Sequence, residues 1–137
     1  MPRKKKSRHL LAPPAINGLA IIGPKNRAEK ISLYFEEFET IKLLDYNNMT
    51  QEEAAISLNV SRPTLTRIYE SARKKIAQCI VEGKDLLIKG GNFEFDDNWY
   101  YCSSCQSKFN IYMKANKICP VCLSEEIITL NDFYQIQ

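Results

Sequence analysis

The 137-residue sequence holds a single histidine, His9, and its apolar residues nowhere form a long uninterrupted run. No stretch approaches the roughly 20 apolar residues of a membrane helix. The opening Met1-Pro2-Arg3-Lys4-Lys5-Lys6 has the charge of a secretion signal's first region, but no apolar segment follows it. Leu10-Leu11-Ala12 runs straight into Pro13-Pro14. Export is therefore not expected, and the chain reads as cytoplasmic, where five cysteines suit a metal better than disulfides. Also missing are a nucleophile–base pairing, a phosphate-binding loop and an open metal site, so an enzyme is not expected. No internal repeat or low-complexity tract stands out beyond the basic N-terminal cluster.

What is present is unevenly spread. The composition, 45% hydrophobic and 26% charged, is that of a folded protein. The net charge of +3 conceals a gradient. Residues 1–30 carry eight Lys/Arg against one Glu, residues 31–89 eight against nine acids, and residues 90–137 three against six. A basic front and an acidic back suggest a nucleic-acid partner for the first part and something else for the last. Residues 1–30 also contain four of the six prolines and read as an extended arm, with short strands in the region Ala15–Ile22. From Ile31 to about Gly83 the pattern is helical, and Phe35, Phe38, Ile41 and Leu44 mark an apolar stripe ending near Asp45-Tyr46-Asn47-Asn48. Gly90-Gly91 is the clearest hinge. Beyond it the period falls to two, through Phe93 and Phe95, then Phe109, Ile111 and Met113, then Ile127 to Leu130.

Thr50-Gln51-Glu52-Glu53 has the form of a capping box that opens a helix bearing Ala54, Ala55 and Leu58. Asn59, one of the few residues that tolerate a left-handed backbone, ends it. Ser61 then serves as a second N-cap, with Pro63 just inside the next helix. That helix carries Leu65, Ile68, Ala72, Ile76 and Cys79/Ile80 at a steady three-four spacing. Two helices joined by so short a turn, with small Ala55 where they cross, form a helix-turn-helix pattern. Between Ser61 and Lys75 there are five cations and one anion, whereas Ser32 to Asn59 holds one cation and six anions. The competing reading is an ordinary helical hairpin with a solvated charged face.

Leu33 through Gly91 resembles the prokaryotic family known as domain of unknown function 134, whose members are predicted DNA-binding proteins. The matching residues include Glu36-Glu37-Phe38-Glu39, Thr50 to Ala55, Val60-Ser61-Arg62-Pro63-Thr64, Arg67-Ile68, Ser71-Ala72-Arg73-Lys74-Lys75, and Gly83-Lys84 leading to Gly90-Gly91. The basic arm is similar to the family's start, so the resemblance covers about two-thirds of the chain. One departure is Asn59, where members often carry Gly. The helix-turn-helix is similar to region four of the primary sigma factors, which reads promoter −35 elements. The resemblance implies a DNA-binding role without a defined target.

By that geometry the first turns of the second helix meet base edges. Arg62, Thr64, Thr66 and Arg67 are the candidates, Arg67 being suited to pair with a guanine. Ser61 and Thr64 equally suit phosphates, and Arg73, Lys74 and Lys75 lie where phosphate contacts are expected. Arg3, Lys4, Lys5, Lys6 and Arg8 either reach along a groove or form a solubilising tail.

Cys102-Ser103-Ser104-Cys105, thirteen further residues, and Cys119-Pro120-Val121-Cys122 make two Cys-x2-Cys knuckles. Two such turns facing one another complete a tetrahedral shell for one zinc ion, and the same ligands suit iron. Gln106 and Leu123 follow the knuckles where Gly is frequent, so strain is expected there. Four cysteines close the shell, which points to a structural ion, not a catalytic one. Cys79 lies in phase with the apolar stripe and reads as core. Trp99, Tyr100, Tyr101, Phe93 and Phe95 either form a surface for a protein partner or a homodimer, or build the ribbon's own small core.

The expected fold is mainly α, a helix-turn-helix bundle, with a small C-terminal β zinc ribbon. The expected parts are a basic, Pro-rich arm at 1–30, a helix-turn-helix domain at 31–89 and a zinc ribbon at 92–137. The expected function is transcriptional regulation through double-stranded DNA. The alternatives are an adaptor docking on RNA polymerase or another protein, and a binder of single-stranded nucleic acid or RNA through the ribbon's aromatics.

Overall fold

The computed structural model describes residues 7–24, 29–112 and 117–136. The chain divides into two compact units. The first comprises residues up to Leu10 together with Pro14–Phe93, and the second Leu11–Pro13 with Glu94–Gln137.

In the first unit the strands are β1 (Arg8–Leu10), β2 (Gly18–Leu19), β3 (Ile31–Leu33) and β4 (Leu86–Ile88). Three α-helices stand between β3 and β4: α1 (Phe35–Thr40), α2 (Gln51–Leu58) and α3 (Arg62–Glu82). A π-helical segment, Ile41–Tyr46, continues α1. The sheet order is β2-β4-β3, with β2 antiparallel and β3 parallel to β4. Leu33 pairs with Ile88 and Leu19 with Leu86. The helices thus form one long crossover between two neighbouring parallel strands, the connection such strands require. Leu33, Ala72, Cys79 and Leu86 form the core under α3, flanked by Ile31, Phe38 and Ile41.

Local chemistry explains each helix boundary. The Glu37 carboxylate accepts from the Tyr34 amide at 2.9 Å and starts α1. Thr50 Oγ1 accepts from the Glu53 amide at 3.2 Å while Glu53 accepts from the Thr50 amide at 3.3 Å, a capping box in both directions. Asn59, at φ 58° and ψ 47°, ends α2, and Ser61 Oγ accepts from the Thr64 amide to cap α3. Gly83, also left-handed at φ 67°, ends α3.

Three glutamates of α1, Glu36, Glu37 and Glu39, are buried. Glu36 accepts from the Asn92 amide at 3.0 Å and faces Arg8, and desolvation holds its carboxyl above the usual range. It also explains Gly91. A Cβ there would fall 1.8 Å from Glu36 Oε1, on a backbone at φ 105°. Glu37 accepts from the Ser71 hydroxyl and from Lys75 Nζ at 2.6 Å, fastening α1 to α3.

The second unit contains β6 (Trp99–Cys102), β7 (Lys108–Asn110), β8 (Ile127–Thr129) and α4 (Leu130–Ile136), and β5 (Phe93–Phe95) leads into it. Its sheet has the antiparallel order β7-β6-β8. Tyr101 stacks on Phe133 at 3.8 Å and Tyr100 on Phe109 at 6.2 Å, and the Asn131 side chain bonds both backbone groups of Phe95.

The expectation of a mainly α fold does not hold. Among the described residues four α-helices accompany eight strands in three small sheets, which makes the fold mixed α/β. The strands that changed the balance are two or three residues long, too short to display an alternating period. They lie within segments whose prolines or helical neighbours dominated the pattern. Ile80, expected on the apolar stripe of α3, is 77% exposed. Among the described residues no helix is long and apolar enough to cross a membrane.

Candidate nucleic-acid interface and metal centre

Seven-residue steps place Leu65, Ala72 and Cys79 on one side of α3, and all three are buried. On the opposite side the same geometry places Pro63, Arg67, Glu70 and Lys74, all exposed. Neither Arg67 nor Lys74 has an ion pair or hydrogen bond among the described residues. Along the flank between these two sides run Arg62, Thr66, Tyr69 and Arg73, and each is engaged. Arg62 Nη1 meets Glu52 Oε1 at 2.7 Å, an ion pair in which both side chains are more than half exposed. The Thr66 hydroxyl lies 3.0 Å from Gln51 Oε1. The Tyr69 hydroxyl donates to Asp45 at 2.7 Å, which holds its pKa above the ordinary value, and the Arg73 guanidinium sits 5.3 Å from the Tyr69 ring centre.

The sequence-derived candidates therefore fall into distinct settings. Ser61 and Thr64 form the cap of α3, with Ser61 Oγ 2.8 Å from Thr64 Oγ1. Lys75 is turned inward, bonded to Glu37 and to the Ser32 carbonyl at 2.9 Å, with its ammonium 3.7 Å over the Tyr34 ring. The cation count on α3 consequently overstates its free positive surface, and the three buried glutamates do not contribute to an acidic surface on the segment that precedes it. Arg3, Lys4, Lys5 and Lys6 lie outside the described residues, as does Met113 of the period-two pattern. Arg8 is buried beside Glu36. Sequence reasoning missed the partners Gln51, Glu52 and Asp45, because nothing in a linear pattern pairs residues across the turns.

In the second unit Cys102, Cys105, Cys119 and Cys122 bring their four sulfurs within 4.8 Å of one another. Across the two knuckles, Cys102 and Cys122 stand 3.5 Å apart, as do Cys105 and Cys119. Four sulfurs at about 2.3 Å from one tetrahedral ion would lie roughly 3.8 Å apart, so the cluster fits a single ion. The two knuckles repeat one geometry. The Gln106 amide reaches the Cys102 carbonyl and the Leu123 amide the Cys119 carbonyl, each at 2.9 Å. Gln106 and Leu123 both adopt φ 64°. Hydrogen bonding with Ser107 lowers the Cys105 thiol to about 6. Cys122, despite the Ser124 backbone contact that lowers it, is pushed up to about 12 by desolvation and the neighbouring thiols. Thiols this close cannot all ionise without a cation among them, which is the chemistry of a metal shell. Four cysteines close together can hold a metal. Trp99 donates from its ring nitrogen to the Leu11 carbonyl at 3.1 Å, and Tyr101 is stacked on Phe133.

The family model described as "Protein of unknown function DUF134" matches residues 1–96. The chain belongs to the DUF134 family. Among its relatives, a UPF0251 protein of Methanothermobacter thermautotrophicus is 36% identical over 129 residues, 93% of this chain and 67% of the relative. A UPF0251 protein of Clostridium acetobutylicum is 41% identical over 106 residues, covering 77% of this chain and 74% of its own length. One from Chloroherpeton thalassium is 33% identical over 136 residues, 98% of this chain and 90% of the relative. That last match runs through both units, so the cysteine-bearing part belongs to the shared length. No solved structure matches the chain.

Proposed function

We propose that this protein is a cytoplasmic DNA-binding transcriptional regulator, a binding protein and not an enzyme, whose α3 enters the major groove while a structural zinc ion organises the second unit. The observation that carries the reading is the outward side of α3, where exposed Arg67 and Lys74 have no partner among the described residues. An arginine without an internal partner on the first turns of a helix that follows a capped turn is placed to reach a guanine edge. The helix pair α2–α3, with its left-handed Asn59 between them, supports a helix-turn-helix. Closed four-cysteine shells favour a structural ion, and zinc is the metal such shells most commonly hold.

Binding of the metal-loaded protein to a pool of genomic DNA fragments, across a salt series and beside Arg67→Ala, tests the reading. We expect a few recurrent fragments at physiological salt, with selectivity lost in the variant. Absence of binding, or uniform binding that the variant leaves unchanged, would reject it. Metal analysis of the purified protein should give one zinc per chain, and a visible thiolate–iron absorption would reject zinc.

A further inference from the structure

The DNA-binding reading names Arg62 and Arg67 together as candidates for base contact, yet their surroundings differ. Arg62 is held at 2.7 Å by Glu52, whereas Arg67 has no partner among the described residues. Resting on that reading, we infer that Arg62 is a positioning residue that cancels the charge of Glu52 on the DNA-facing side, and that Arg67 is the base-reading arginine. Glu52 and Glu53 lie in the first turn of α2, where acidic groups favour the helix dipole. That turn belongs to the first helix of the pair, the one that crosses the phosphate backbone in this mode of docking. Glu53 is occupied by the Thr50 cap, but Glu52 is exposed, and among the described residues its acceptor is satisfied from α3. To reach a base edge Arg62 would have to leave Glu52, and an uncompensated carboxylate would then face phosphates. Arg67 would meet DNA without breaking a contact among the described residues.

The neighbouring flank supports the same division. Thr66 is tied to Gln51 and Tyr69 to Asp45, so the side of α3 that starts at Arg62 is committed to α2 and the π-helical segment. Pro63, Arg67, Glu70 and Lys74 form the side left open.

The test compares wild type, Arg62→Ala, Glu52→Gln, the double variant and Arg67→Ala in one DNA fragment recovered by selection, with single base-pair changes across it. Arg62→Ala should weaken binding about tenfold without altering base preference, and adding Glu52→Gln should restore affinity to within about threefold. Arg67→Ala should relax preference at one base pair. A base preference relaxed by Arg62→Ala, or a loss that persists in the double variant, overturns the inference. Thermal unfolding of the same proteins without DNA separates the two readings. Non-additive shifts for Arg62→Ala and Glu52→Gln support the ion pair, and additive shifts overturn it whether or not DNA binds. Failure of every protein to bind DNA, with the shifts non-additive, rejects the DNA reading and the assigned role while leaving the ion pair standing.

Discussion

The two units solve the problem of being small in different ways. The first buries aliphatic side chains between a sheet and α3 and fastens α1 in place with carboxylates, of which Glu37 with Lys75 is the tightest pair. The second has little aliphatic core. Its buried cluster is Cys102, Phe109 and Cys119, supplemented by stacked aromatics at Tyr101 and Phe133. A segment of this size cannot hold itself together by apolar burial alone, so metal binding is expected to supply much of its folding free energy. Stability in the first unit is thus spread over many contacts, while in the second it is expected to rest largely on the four sulfurs and an ion they would hold.

Removing the metal should break this comparison most clearly. Trp99 is the sole tryptophan and lies in the second unit, whereas α1, α2 and α3 lie in the first. Chelation, or Cys119→Ser, should therefore change Trp99 fluorescence while most of the helical circular dichroism survives. The expected loss is on the order of 10 kcal/mol of binding free energy. Unchanged fluorescence after verified metal removal would show that the second unit folds without an ion.

The strongest contrary blow to the first unit is Glu37→Ala. It removes the only carboxylate on the Lys75 ammonium among the described residues, leaving it the Ser32 carbonyl and the Tyr34 ring. The Lys75 side chain is 23% exposed, and Ser71 and the Tyr34 amide also lose their acceptor. The expected cost is about 3 kcal/mol, read as a lower melting temperature of the helical signal with Trp99 fluorescence unaffected below the transition. A change within about 0.5 kcal/mol would mean that the pair is not part of what fastens α1.

The smallest effect has the opposite sign. Gln106→Gly and Leu123→Gly relieve a left-handed backbone at each knuckle, and each should stabilise the metal-bound second unit by up to about 1 kcal/mol. Destabilisation by either variant would show that the side chain makes a contact worth more than the strain.

Much of the candidate site was legible in the sequence because its signals are local. A capping residue and its partner three positions later, an Asn at a tight turn, a Pro at a helix start and a Cys-x2-Cys knuckle are each complete within a few residues. The α2–α3 boundary and the sulfur cluster accordingly lie where the residues indicated, and the positions after each knuckle are left-handed. What could not be read depends on residues far apart. Ile31–Leu33 finds its partner Leu86–Ile88 only after three helices have intervened. The acidic run Glu36-Glu37-Phe38-Glu39 has the composition of a surface, and only tertiary structure reveals Arg8, Lys75 and the Asn92 amide as the partners that let it be buried.

The π-helical segment Ile41–Tyr46 has a consequence for how the chain's length can vary. The Asn47 amide reaches back five residues, to the Lys42 carbonyl at 2.8 Å, instead of the four that an α-helix uses. A π turn accommodates one residue more than an α turn, so this end of the helix is a place where a single-codon deletion has a regular structure, the α-helix, to fall into. Because the extra residue is taken up locally, such a deletion would tighten the last turn of the helix and shift Asp45, the acceptor of the Tyr69 hydroxyl. The segment is therefore a place where chain length can vary at the close of this helix, ahead of the residues that lead into α2.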